Sequence, residues 1–117
     1  MKLINRSVVV VKPRQPFFEW VIEHDAYGVV QPGSLHDLQQ DCLVVLVPDS
    51  QQPGQELDFL EPFKPRLFEM QLDAWFTDPR TWPATRDARE FDRWFDLEVH
   101  TMVWDLAGTE FHVEDER

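Results

Sequence analysis

Each of the four histidines in this chain stands near a carboxylate: His24 before Asp25, His36 before Asp37, His100 with Asp105, and His112 with Glu114. A carboxylate beside an imidazole can orient the ring for proton transfer or help hold a divalent metal. With 22 acids in the chain such neighbours arise by chance, and neither HExxH nor a comparable ligand spacing occurs. No metal and no cofactor are therefore expected. Glu69 and Asp73, four residues apart, form a carboxylate pair at helical spacing that lies clear of lysine. Such a pair divides acid and base roles when burial separates its two pKa values. The polar side on which they fall predicts a solvated face instead, and Glu19 with Glu23 repeats the spacing. Lys12 and Arg14 flank the start of a predicted helix, where free N–H groups and the positive dipole end favour a phosphate or carboxylate, although no Gly-rich loop accompanies them. Cys42 opens an apolar run that should bury and deactivate its thiol. Ser7, Ser34 and Ser50 sit in no GxSxG elbow, and neither a P-loop nor a GxGxxG is present.

Charge is distributed more unevenly than the net value of −11 suggests. Residues 1–16 hold Lys2, Arg6, Lys12 and Arg14 and no acid, whereas residues 17–63 hold nine acids and no lysine or arginine. Such a field repels nucleic-acid phosphates and anionic membranes and steers basic partners inward. Cys42 is the sole cysteine, which excludes an internal disulfide and fits the reducing cytoplasm. The apolar run in MKLINRSVVVVKPRQP is only four valines, too short for the core of a signal peptide, and nothing approaches a membrane span.

The elements that must position these groups follow from hydrophobic period. RSVVVV (6–11) and CLVVLV (42–47) are short continuous apolar runs stopped by proline and read as strands covered on both faces. Between them Phe17, Trp20, Val21 and His24 recur as one face of a helix over 16–24, started by Pro16. Tyr27-Gly28 to Pro32-Gly33 is turn-rich, and Ser34 suits the cap of a short helical piece with Leu35 and Leu38 inward. DSQQPGQ (49–55) reads as loop, and a short turn over 56–61 precedes a main helix over 64–77. That helix carries Leu67, Met70 and Ala74 on one stripe and Phe68, Leu72 and Trp75 on another, so it needs cover on two sides. Thr85 is the expected cap of a helix over 86–95, with Ala88, Phe91 and Phe95 inward. A strand over 97–106 then alternates Leu97, Val99, Thr101 and Val103 against Glu98, His100, Met102, Trp104 and Leu106. The chain thus reads as one α+β (or α/β) domain, 1–117, in the order β-α-β-α-α-β: a small three-stranded sheet with helices on at least one face, and a disordered acidic tail at 110–117.

Within FDRWFDLEVHTMVWDL the period changes from helical to alternating near Asp96. Trp94, His100, Met102 and Trp104 fall off the inner stripes, so either a helix or partner covers that second face or they form a candidate binding patch. The segment LFEMQLDAWFTDPRTWPATRDAREFDRWFDLEVHTMVWDL, with the opening NRSVVVVKP, resembles a group of small acidic bacterial proteins with no assigned activity. The resemblance implies a cytoplasmic bacterial protein and transfers no catalytic residue.

These features favour a non-enzymatic binding or regulatory module, whose acidic surface and aromatic flank engage a basic protein partner or a second copy of the chain, with no nucleic acid or membrane involved. The alternative is a small enzyme or metal-dependent protein using His24, His100, Glu69 or Asp73 in a cleft between sheet and helices. Lys12 and Arg14 remain the candidate anion site.

Overall fold

The central strand is the valine run. After a two-residue strand β1 (Lys2–Leu3), β2 (Arg6–Pro13) buries Ser7, Val9, Val11 and Pro13 on one face and leaves Val8, Val10 and Lys12 half-covered on the other. The computed structural model describes residues 1–25 and 33–116; the turn read from Tyr27-Gly28 to Pro32 lies outside them. β3 (Leu43–Pro48) and β4 (Phe95–His100) both pair antiparallel with β2, placing Val45 and Val99 opposite Val9, so the sheet order is β3-β2-β4. The domain is α+β.

Five helices complete the described chain: α1 (Gln15–Glu23), α2 (Leu35–Leu38), α3 (Gln55–Leu60), α4 (Lys64–Asp73) and α5 (Ala88–Trp94). Pro16 and Pro65 lie in the first turns of α1 and α4, where a missing N–H costs nothing. Ser34 caps α2 by accepting from the Asp37 N–H at 3.2 Å, as its position predicts. A 3₁₀ turn over Glu61–Phe63 joins α3 to α4, so Pro62 and Pro65 each open a separate short element.

Where sequence and structure differ, the causes are local. α5 begins later than Thr85 implies, because Asp87 is the cap and accepts from the Glu90 N–H at 2.9 Å. Phe95 points inward from β4, having left the helix. The predicted 97–106 strand is two pieces, β4 and β5 (Trp104–Asp105), and β5 pairs with β1 in a separate ribbon. Leu3 and Val8 are five positions apart whereas their partners Trp104 and His100 are four apart, so a one-residue slip interrupts the ladder near Asn5.

Cover on both sheet faces is the larger misreading. Helices bury only the face carrying Val9, Val11 and Val47, while Val44 and Leu46 on the opposite face of β3 stay 52% and 50% exposed. On the covered face the core is aromatic. Phe17, Phe68 and Phe91 are fully buried, with Phe95 nearly so, and Phe91 meets Phe95 at 4.8 Å between centroids while Phe68 meets Phe95 edge-on at 5.5 Å. Edge and tilted ring pairs contribute about 0.5–1.5 kcal/mol each beyond burial of area.

A buried cation closes the helical layer. The Lys64 side chain is 8% exposed, and its Nζ donates to Glu61 Oε2 at 2.6 Å and Asp92 Oδ1 at 2.8 Å, 5.9 Å from the Phe91 ring centroid. Burial pushes its pKa down, but hydrogen bonds to Asp92 and Glu61 and their charges outweigh this and raise it above 10.5. Because the folded pKa is the higher one, the stabilisation is complete below the unfolded pKa and is lost as pH rises through the folded value. Urea midpoints measured against pH should therefore show a decline above about 10.5 in the wild type that Lys64→Met lacks. Phe68→Ala should lower unfolding free energy by about 3–5 kcal/mol in the same measurement, since it opens a cavity at the centre of the ring cluster.

Candidate functional site

Two hollows have enough chemistry to weigh. The larger, about 510 Å³, lies between α1, the 3₁₀ turn at Pro79–Thr81 and α5, and is lined by Glu19, Trp20, Glu23, His24, Arg80, Trp82, Glu90, Arg93 and Trp94 among others. The helical spacing of α1 brings Trp20, Glu23 and His24 to this wall, so the hollow contains one of the four candidate catalytic groups. Its polar atoms are largely committed. Trp20 Nε1 donates to the Thr81 carbonyl at 2.8 Å, Trp82 Nε1 to the Phe76 carbonyl at 2.8 Å, and Trp94 Nε1 to Glu90 Oε1 at 3.0 Å. Arg93 binds Glu90 at 2.8 Å, and Arg80 forks onto Asp78, holding that carboxyl below its ordinary pKa through side-chain and backbone hydrogen bonds. His24 Nδ1 lies 3.0 Å from the Trp20 carbonyl and donates to it, so the ring closes the C-terminal end of its own helix.

The other candidate residues lie elsewhere. Glu69 is half-buried on α4 with Arg86 Nε at 4.0 Å, and Asp73 is exposed at the end of that helix. His100 is exposed on the uncovered face of β4, 3.8 Å from Glu98. None of Glu69, Asp73 and His100 lines the hollow that holds His24. Among the described residues no group of three or more His, Cys, Asp or Glu is arranged to hold a metal ion. Lys12 and Arg14 are paired with acids of β4, Lys12 with Glu98 at 3.3 Å and Arg14 with Asp96 at 3.4 Å. Burial pushes the Cys42 thiol pKa up, with nearby Lys12 working against it.

The predicted patch divides. Trp94 is buried among Phe17, Trp20 and Phe68, contrary to its expected place off the inner stripe. It stands three residues after Phe91 on the last turn of α5, so it continues that stripe, while Phe95 lies beyond the helix end. Met102 and Trp104 are exposed at the short ribbon of β1 and β5, where Leu3 and Leu106 are exposed as well.

The second hollow is apolar and was not foreseen. Val45, Leu46 and Val47 of β3, with Phe59, Leu60, Phe63 and Leu67, enclose about 110 Å³ at the open edge of the sheet. Phe59 and Phe63 remain 46% and 48% exposed, their rings 5.6 Å apart. Their spacing of four residues carries the signal, but Pro62 between them reads as a break rather than a continuation. The 3₁₀ turn carries the helical path through Pro62 and keeps both rings on one side.

No family model, curated protein or solved structure matches the chain, so its chemistry is read from its own residues. In the larger hollow the wall is built around Glu90, which accepts from both Trp94 and Arg93. Glu90→Ala should lower stability by about 1–3 kcal/mol in urea unfolding, because the buried Trp94 N–H loses its acceptor, and Glu90→Gln should recover most of that loss.

Proposed function

We propose that the protein is a non-enzymatic binding module, acting in the cytoplasm, whose acidic and partly apolar surface engages a basic protein partner. The observation that carries this reading is the company kept by four exposed apolar side chains. Leu46, Phe59 and Phe63 border one apolar hollow at the β3 edge, and Val44 is exposed on the same strand, all inside a stretch of nine acids and no lysine or arginine. An apolar patch with a charged rim is the usual form of a protein-binding surface, its centre supplying affinity and its rim the choice of partner.

Most cations near that field are engaged by acids, the exception being Arg6, which stands opposite Pro48 and donates to Asn5. Lys64 is held by Glu61 and Asp92, and Arg66 by Glu116, so neither is free to cancel the remaining acids. Lys12 and Arg14 are paired with β4. A catalytic reading draws less support, because only His24 of its four groups reaches the larger hollow and its Nδ1 is engaged by the backbone. The single Cys42, with its thiol pKa raised, is compatible with a reducing compartment.

A short synthetic peptide alternating lysine with valine should bind the chain in isothermal titration at low salt and lose roughly tenfold in affinity at physiological ionic strength. The matching glutamate–valine peptide and single-stranded DNA should not bind. Equal binding of the lysine and glutamate peptides, or no salt-sensitive binding at all, would remove this reading.

A further inference from the structure

The sheet has two open edges, and they are defended differently. β4 (FDLEVH) sets Asp96, Glu98 and His100 along one edge, and charged side chains on an edge strand discourage another strand from adding there. β3 (LVVLVP) carries no charge, and it pairs with β2 alone. Alternate residues of β3 therefore direct backbone N–H and C=O groups away from β2, and no further backbone hydrogen bond occupies them among the described residues. Beside this edge lies the apolar hollow between Leu46 and the helical wall of Phe59, Phe63 and Leu67. An unpaired edge running next to a side-chain pocket meets both requirements for accepting a strand: main-chain bonds give affinity and the pocket chooses the side chain.

We propose that the open edge of β3 takes up an extended segment of a basic partner protein as a fourth strand, with one aliphatic side chain seated in the hollow between Leu46 and the paired rings of Phe59 and Phe63. This rests on the binding-module reading above and adds its mode of engagement. Charge complementarity selects the occupant. Asp41 and Asp49 bracket β3, and Asp58 stands next to Phe59; Asp49 accepts from Ser7 Oγ at 3.3 Å, and none of the three has a lysine or arginine partner among the described residues. A second copy of the chain would bring these acids against their own kind, whereas a lysine- or arginine-bearing strand would find them opposite. The chain's own tail is a poor occupant for the same reason, being acidic at Glu114, Asp115 and Glu116. It is also engaged nearby, with Phe111 against the neighbouring hollow of Leu3, Arg6 and Leu46, and Glu116 on Arg66.

The test uses the full chain and the lysine–valine peptide in two forms, one unmodified and one N-methylated at alternate amides, which keeps charge and side chains but removes strand pairing. Amide hydrogen exchange followed by NMR should show Leu43–Val47 protected when the unmodified peptide binds, while the N-methylated form binds at least tenfold more weakly. Phe63→Ser should weaken the unmodified peptide by about tenfold, corresponding to about 1.4 kcal/mol. Leu46→Thr, a strand-compatible change at an exposed position, should do the same if Phe63→Ser disturbs the fold. Equal affinity for the two peptides, or protection appearing on β4 instead of β3, would overturn strand addition while leaving the acidic-partner reading intact. Failure of both peptides to bind at low salt would remove that reading as well. Concentration-dependent dimerisation of the chain that Phe63→Ser abolishes would overturn the basic partner in favour of a second copy.

Discussion

The fold depends on a layer of aromatic rings pressed against one face of a three-stranded sheet. Phe17 from α1, Phe68 from α4, Phe91 and Trp94 from α5 and Phe95 from β4 meet in one cluster, so every long helix is tied to the others through rings. Aliphatic side chains of the sheet, Val9, Val11 and Val47, form the floor. With so much of the bulky apolar content committed to one side, few large groups remain to cover the other. The uncovered face of β3 follows from that allocation.

Polar groups inside this layer are placed to complete it. The three tryptophans of the larger hollow each donate their indole N–H to an acceptor of the chain itself, as buried indoles require. Lys64 lies over Phe91 and joins the turn after α3 to α5 through two carboxylates that remain half in water. Desolvating the ammonium costs energy that one exposed acid would not offset; two short charge-assisted hydrogen bonds do. The same economy explains the isolation of the histidines. His24 ends a helix, and His100 lies on the outer surface of the sheet.

Much of the architecture was legible because hydrophobic period is a direct record of burial. The valine run, the stripe of Phe17, Trp20 and Val21 and the Ser34 cap appear where the spacing places them, whereas the main helix ends at Asp73 and buries Leu67, Phe68 and Leu72 while Met70 and Ala74, expected inward, are exposed. What escaped the sequence depends on partners rather than on pattern. Leu43–Val47 has the composition of a strand covered twice, but coverage is decided by which helices cross it, and none crosses the side of Val44 and Leu46. The slip near Asn5 arises because β1 and β2 share one partner segment that is a residue shorter, which no single-strand alternation reveals. Trp94 was misplaced by one boundary error, and the Phe59–Phe63 pair was hidden by a proline that the 3₁₀ turn accommodates.

The contrast between the sheet's two edges bears on why an unprotected strand is retained. An apolar, uncharged edge invites association with any exposed strand, including that of another copy, and small proteins ordinarily suppress this with charge or cover. β4 follows that practice, and β3 carries neither device within the strand itself. The charge near this edge lies in its surroundings, with Asp41, Asp49 and Asp58 close to the strand and Arg6 opposite its end. A field of one sign repels a copy of itself and attracts its opposite, which gritty steric cover could not do. Under the proposed strand addition, a guard in the flanking charge rather than in the strand would keep the backbone available to a basic neighbour while disfavouring the chain's own copy.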